Sequence, residues 1–346
     1  MSTASARPRT RKQHYVPACV LSQFATPSDR DGRLMVFDRQ TGAVRPSTPG
    51  NEAHIRDFHA VELDSRADAN IAEDALAKLE AIFAPVIARV NETRGLPSEI
   101  RPLLAFIAMQ FVRTPSAREW FRQGHNAIWM ATLRASVRDR STFDATAREA
   151  MPGATDADLD ETYEAVREFL RQPGARVDMD QTTLVRDAFQ LAPDVEDWLA
   201  QRCWLLGLAP PDAPAITSDD PIVLEWTGRG KPPSDWYPGI GDPNTVVLVA
   251  LGPRHILAGV TQQVRGKRRR QLTREDVARF NTRIACRAAR FVYFSGATFP
   301  FDQNGTIVDG PTDWLKGDDS DPRGGRKRGR VVVQEPDALD LLGPFA

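Results

Sequence analysis

Cysteine is scarce in this chain of 346 residues. Cys19, Cys203 and Cys286 lie far apart, and no pair has the CxxC spacing of a structural zinc site. Three scattered cysteines also cannot form the disulfide framework of a small secreted domain. Each stands beside apolar residues, where a buried free thiol is expected. We therefore expect a protein of the reducing cytoplasm.

Long apolar segments are absent as well. The longest uncharged apolar stretch, residues 103–112, is too short to cross a lipid bilayer. The basic N-terminus is not followed by the apolar segment of a secretory signal. We therefore expect no membrane partner.

Several catalytic signatures are missing. The chain has no GxxxxGK[ST] loop, no HExxH motif, no GxSxG motif and no GxGxxG motif. No lysine follows an acidic residue at the spacing acid-x-Lys, which disfavours one common nuclease core. These absences disfavour P-loop nucleotide sites, zincins, α/β-hydrolases and Rossmann-type cofactor sites.

Charge is nearly balanced overall but uneven along the chain. The formal net charge is −1, yet basic residues cluster at 7–12, 265–270 and 323–330, which leaves the remainder strongly acidic. An acidic body repels phosphate, so we expect nucleic acid to bind only through local basic patches. The residues predicted to bind it are Arg265, Lys267, Arg268, Arg269 and Arg270. Solvated loops or tails would give the same charge pattern.

Composition divides the chain into a body with two extensions. Residues 1–13 are predicted to be a flexible basic arm, and residues 14–296 a single large α+β domain. Residues 297–346 are predicted to form a C-terminal extension with a basic linker at 317–330.

Apolar periodicity predicts the architecture of the domain. The fold class is α+β, with a helical central region packed against a mixed or antiparallel β-rich half. Residues 68–200 are predicted to be helical, and residues 14–60 and 201–296 to be β-rich. The clearest helices are predicted at 68–91, 156–171, 181–191 and 274–287, and the clearest strands at 203–208, 222–224, 246–251, 256–260 and 291–294. Pro115 is predicted to kink or restart a helix.

Three polar residues of the first half are candidate catalytic groups. His14 lies in an extended segment and has an ordinary pKa near neutrality, which suits an acid, a base or a metal ligand. Gln110 falls on the apolar face of its predicted helix, and Arg113 follows with a guanidinium that can bind phosphate or carboxylate. A backbone-bonded loop histidine and a buried polar network are the structural alternatives.

A second group of candidates lies beside a predicted strand. Ser218 is a candidate catalytic hydroxyl, and Asp219 and Asp220 are carboxylates suited to Mg²⁺. A turn capped by Asp and stopped by Pro would have the same sequence. Glu73, which shares a helix face with Glu80, is a further candidate metal ligand, although both could be solvated surface residues.

These motifs, taken in order, resemble one bacterial family, the domain of unknown function numbered 4238 in its series. Its pattern is similar at His-Tyr-Val-Pro (14–17), Gln-x-x-Arg-Thr-Pro (110–115), Ser-Asp-Asp-Pro (218–221), Leu-Gly-Pro (251–253) and Phe-Asn (280–281). The resemblance covers roughly residues 12–296. His59 and Asp220 depart from the family pattern, which often has an aromatic residue and an Asn there. The resemblance implies a shared fold and supplies no established activity.

Two main functions follow from these candidates, and a third, a small-molecule hydrolase, would differ by showing no salt-dependent binding. In the first, the protein is a metal-dependent phosphodiester hydrolase acting on nucleic acid, in which Asp219 with Glu73 or Asp220 holds Mg²⁺ or Mn²⁺. Arg113 then binds a phosphate oxygen and His14 transfers a proton. In the second, the protein is a non-catalytic binding or adaptor module, and the same residues form a structural network. An open cleft around these side chains would favour the hydrolase, and closed, hydrogen-bonded side chains the module.

Overall fold

The structure is a computed structural model that describes residues 10–61, 70–227, 239–262, 268–312 and 315. Most of the predicted arm, the predicted linker at 317–330, Arg265 and Lys267 lie outside these residues.

Eight α-helices and thirteen strands lie within the described residues. The helices are α1 (Ala18–Leu21), α2 (Ile71–Thr93), α3 (Arg101–Val112), α4 (Pro115–Ser136), α5 (Arg140–Ala150), α6 (Asp156–Arg171), α7 (Gln181–Ala200) and α8 (Arg274–Arg287). The strands are β1 (Lys12–His14), β2 (Leu34–Asp38), β3 (Val44–Ser47), β4 (His54–Arg56), β5 (Cys203–Leu208), β6 (Thr217–Ser218), β7 (Ile222–Trp226), β8 (Thr245–Gly252), β9 (His255–Val260), β10 (Arg269–Gln271), β11 (Phe291–Phe294), β12 (Phe299–Gln303) and β13 (Thr306–Gly310).

Two larger sheets organise the strands. The first has the order β10-β5-β9-β8-β7, and all its pairs are antiparallel except the parallel pair β10–β5. The second has the order β3-β2-β11-β6 and is antiparallel. β1 pairs with β4, and β12 with β13. The predicted α+β class with mixed or antiparallel sheets is therefore confirmed.

The five-stranded sheet separates two hydrophobic cores. Along β8, Val247 and Val249 face one core, and Val246 and Leu248 face the other. The first core contains side chains of α2, α3 and α7, and the second contains side chains of α8 and β12. Because both faces are covered, these strands are continuously apolar rather than alternating.

Local sequence signals set the helix boundaries. Pro115 occupies the first position of α4, where its missing N–H costs nothing, and the Thr114 hydroxyl caps that helix. α3 ends before it, so Pro115 restarts the helical path. Asp180 caps α7. Thr273 and Asp276 form a reciprocal capping box at the start of α8.

The structure adds elements that were not predicted one by one. Strands β3, β4, β6 and β10 lie in the segments predicted to be β-rich, and α5 lies in the segment predicted to be helical. The hairpin β12–β13 lies beyond them, and its Phe299 and Phe301 are buried in the second core. The predicted domain boundary at residue 296 thus falls just before a packed hairpin. None of the helices described is long and apolar enough to cross a membrane.

Candidate functional site

The carbonyl oxygen of Tyr15 is the meeting point of the predicted residues in the first half of the chain. Gln110 Nε2 donates a hydrogen bond to it at 2.9 Å, and Arg113 Nε donates a second at 3.2 Å. Both side chains are buried. Both residues lie at the end of α3. Because residues three apart share a helix face, their side chains can reach the same oxygen. This oxygen uses both of its lone pairs to connect the end of β1 to α3.

The guanidinium of Arg113 is neutralised by an acidic residue of α2. Arg113 Nη1 and Nη2 both donate to Glu80 Oε1 at 3.1 Å. The Arg113 side chain is 3% exposed and that of Glu80 is 30% exposed, so the ion pair reaches the surface only on its acidic side. Arg113 therefore acts within the protein as a connection between α2, α3 and β1.

Glu73 lies on the same side of α2 as Glu80. Burial and the charge of Glu80 raise the pKa of Glu73 to about 6. Its Oε2 atom is buried and has no hydrogen-bond partner among the described residues. One carboxylate oxygen of the predicted metal ligand Glu73 is thus left without a hydrogen bond from the described residues.

His14 stacks on a second histidine. The ring centroids of His14 and His54 are 5.6 Å apart, and the residues are partners in the β1–β4 pair. Burial, followed by the charges of His54 and Arg30, lowers the pKa of His14 to about 4, and a smaller effect of the Glu52 backbone opposes this. Both ring nitrogens are buried, and within the described part of the chain neither makes a hydrogen bond of normal geometry. The ring is therefore neutral at physiological pH.

The predicted site at 218–221 is a closed turn. The Ser218 hydroxyl donates to the Asp220 carbonyl at 2.9 Å and accepts from the Asp220 N–H at 3.2 Å. The Asp219 carboxylate accepts three backbone N–H groups, from Ala289 and Arg290 at 2.7 Å each and from Phe291 at 2.9 Å. Burial raises the pKa of Asp219 to about 6, although the three donors act in the opposite direction. Asp219 thus fixes the chain where α8 passes into β11.

Tyr15 lies between the two groups of predicted residues. Its carbonyl faces Gln110 and Arg113, whereas its buried side chain interacts with Tyr293. Burial and the nearby charge of Asp219 raise the pKa of the Tyr15 hydroxyl. The predicted residues are therefore neighbours through Tyr15 rather than around an open cleft. Its place next to His14 in the N-terminal motif is the signal that could have identified it.

The predicted metal ligands do not form a ligand set. Glu73 lies on α2 near Glu80, whereas Asp219 has its carboxylate bound to backbone N–H groups. Within the ranges that the structure describes, no three His, Cys, Asp or Glu side chains are grouped so that they could hold a metal ion. A site for Mg²⁺ or Mn²⁺ therefore stays a prediction.

The predicted basic patch, in contrast, lies at a cavity. A cavity of about 1050 Å³ lies between the start of α3, the end of α7, and strands β5 and β10. Its lining includes five arginines, namely Arg101, Arg202, Arg268, Arg269 and Arg270. The last three belong to the predicted nucleic-acid-binding patch. We call this feature the arginine cavity.

Arg202 is the buried cation of the arginine cavity. Its guanidinium donates to the main-chain carbonyls of Thr245, Gly259, Ile240 and Asp242. Burial lowers the pKa of Arg202 to about 10, so the side chain stays charged at neutral pH. Sequence reasoning missed Arg202 and Arg101. A lone arginine immediately before a fully apolar strand is the signal that could have identified Arg202.

Comparison with known proteins identifies a family whose activity is not known. A family model described as "Protein of unknown function (DUF4238)" matches residues 12–298. No curated protein and no solved structure matches the chain. Any function must therefore be argued from the geometry of the site.

The raised pKa of Glu73 predicts a specific pH dependence. The folded state holds the Glu73 proton more tightly than the unfolded chain, so this carboxyl costs stability as the pH rises from about 4.5 to about 6. Glu73→Gln removes that cost. We expect the variant to be more stable than the wild type at neutral pH, by less than about 1 kcal/mol because the group is partly solvated, and not below about pH 4.5. Urea unfolding at both pH values measures this.

Glu80→Gln is the matched control. Loss of its charge leaves the buried Arg113 without its counter-ion, so this variant should lose about 1–3 kcal/mol at neutral pH. An unchanged stability of Glu80→Gln, or a destabilised Glu73→Gln at neutral pH, would contradict the electrostatic arrangement described here for α2.

Asp219→Ala tests whether that carboxylate is structural. Removing it leaves three backbone N–H groups without their acceptor, so we expect a loss of about 2–4 kcal/mol in unfolding free energy. Asp212→Ala, at an exposed position, should stay within about 0.5 kcal/mol of the wild type. Thermal unfolding with Mg²⁺, Mn²⁺ or EDTA completes the test. If a cation at about one hundred times its Kd added about 2.7 kcal/mol to the wild type but nothing to Asp219→Ala, Asp219 would be a metal ligand instead.

Proposed function

This chain belongs to the DUF4238 family of proteins of unknown function, and within that family we propose that it is a non-catalytic binding module for nucleic acid. The single observation that supports this proposal is the arginine cavity, which gathers three residues of the predicted basic patch with two further arginines. Arginine binds phosphate through a planar fork of donors and keeps its charge at any physiological pH.

The balance of charge around the cavity favours an anionic ligand. Arg101 is paired with Asp197 at 2.9 Å and with Glu196 at 3.6 Å, which offsets one of the five cations. Arg202 is held by carbonyl oxygens, and the charge of Asp242 offsets part of its positive charge. Arg268 has no acidic partner among the described residues. The cavity therefore keeps a positive field that attracts phosphodiester groups.

The state of the family motifs favours binding over hydrolysis. Gln110 and Arg113 are occupied by the Tyr15 carbonyl, Arg113 also by Glu80, and Asp219 by three backbone N–H groups. Side chains that are buried and paired in this way stabilise a fold. They leave the surface arginines as the groups that can meet a ligand.

A hydrolase is the second candidate function, and Glu73 is the observation in its favour. A half-buried carboxyl with a pKa near 6 and an unused oxygen is suited to proton transfer or to a divalent cation such as Mg²⁺ or Mn²⁺. In that case a bound nucleic acid would be cut. We place the protein in the cytoplasm as part of either proposal, because all three of its cysteines are free.

Fluorescence anisotropy with a labelled oligonucleotide of about 12 nucleotides tests the proposal. We expect the wild type to bind with an affinity that falls as salt rises from about 50 to about 200 mM. A variant combining Arg268→Ser, Arg269→Ser and Arg270→Ser should bind at least about tenfold more weakly. Its plot of log affinity against log salt should be shallower by about 2, since three phosphate contacts are lost.

The matched control removes the same charge elsewhere. Arg138→Ser, Arg171→Ser and Arg176→Ser act at exposed positions in or near α4 and α6, and this variant should bind as the wild type does. If both variants weakened binding equally, the loss of affinity would come from net charge and not from the arginine cavity. If the wild type did not bind, the proposal would be refuted. Cleavage of the oligonucleotide with Mg²⁺ or Mn²⁺, lost in Glu73→Gln, would establish the hydrolase instead.

A further inference from the structure

The arginine cavity lies at the terminal strand of its sheet. Four consecutive residues, Arg268, Arg269, Arg270 and Gln271, line it. Its lining also includes Trp204 of the neighbouring strand β5 and Arg202 just before that strand, so the cavity extends from β10 over the start of β5. β10 is the terminal strand of its sheet, and no described strand pairs with its other side.

This edge carries charge on both faces. Arg268 immediately precedes β10, Arg269 and Arg270 point to opposite faces of the strand, and all three residues are exposed. Arg269 Nη1 donates to the Arg94 carbonyl at 3.2 Å, which holds that side chain towards the end of α2. A nucleic-acid strand lying beside β10 would therefore meet positive charges at successive positions. Its own backbone carries a negative charge at each phosphate, so the two sets of charges match.

The opposite wall of the cavity is partly apolar. Leu96, Pro97, Ile100 and Leu104 contribute to it from the turn before α3 and its first residues. A volume of about 1050 Å³ is large for a pocket that binds a small ligand. Arginine guanidinium planes bind phosphates and also stack on unstacked bases, so arginines beside an apolar wall suit a chain that presents both groups. A duplex keeps its bases stacked inside and its phosphates outside, so it cannot use the apolar wall.

We propose that the arginine cavity binds single-stranded nucleic acid in preference to duplex, with the strand lying between β10 and the first residues of α3. The phosphates contact Arg268, Arg269 and Arg270, and the bases face the wall that precedes α3. Arg202 supplies charge at the buried end of the cavity and is a positioning residue, since carbonyl groups occupy its outer nitrogens. RNA and DNA share this chemistry. This inference rests on the proposed function and names the ligand class of the same site.

The test compares labelled single-stranded RNA, single-stranded DNA and duplex DNA of the same length by anisotropy, with the full chain. We expect both single strands to bind at least about tenfold more tightly than the duplex. Ser98 is exposed and lines the cavity, so Ser98→Trp narrows the cavity without changing its charge. This variant should weaken single-strand binding about tenfold or more and leave duplex binding unchanged. Ala145→Trp, at an exposed position of α5, is the control and should leave both unchanged. Thermal unfolding verifies that both variants are folded.

The outcomes separate the inference from the proposed function. Duplex binding as tight as single-strand binding, or single-strand binding that Ser98→Trp leaves intact, overturns the inference while the binding module stands. Absence of binding to every oligonucleotide overturns both. The last outcome concerns competition with a glutamate-rich peptide at the same concentration of negative charge. If the peptide displaces the single strand, the inference is overturned, because an acidic peptide strand is then the better partner for the open edge of β10.

Discussion

The double hydrogen bond to the Tyr15 carbonyl is the constraint on which the rest of the structure depends. Gln110 and Arg113 reach this oxygen from the end of α3, and Arg113 continues to Glu80 on α2. The side chain of the same tyrosine packs with Tyr293 beside Asp219, which holds the start of β11. One residue therefore joins the N-terminal ribbon, the central helices and the four-stranded sheet. Buried polar groups connected in this way are costly to leave unpaired, so they fix a single arrangement of the elements.

This constraint explains why the family motifs and the candidate binding surface lie in different places. Gln110, Arg113 and Asp219 form hydrogen bonds in the interior, where they hold three parts of the chain together. The arginines of the cavity belong to other segments, namely the beginning of α3, the turn after α7 and the segment of β10.

The sequence was informative wherever a signal was local. The bounds of α6, α8, β5 and β11 follow directly from apolar periodicity, caps and turn residues. It could not reveal the partners of Asp219, because its three donors lie about seventy residues away and are backbone groups with no side-chain signature. Gln110 was singled out correctly as a polar residue on an apolar face, but only the structure shows that its partner is a carbonyl. Arg202 was missed because four scattered carbonyls leave no pattern in the sequence.

In the arrangement we propose, the motif residues hold the fold and the arginine cavity holds the ligand. The most direct measurement is the unfolding free energy of Arg113→Met together with its affinity for a labelled oligonucleotide at a temperature where it is folded. We expect a loss of about 3 kcal/mol in unfolding free energy, since Glu80 and the Tyr15 carbonyl lose their donor, with an unchanged affinity. Full stability with lost affinity would overturn this arrangement and place Arg113 in the binding site.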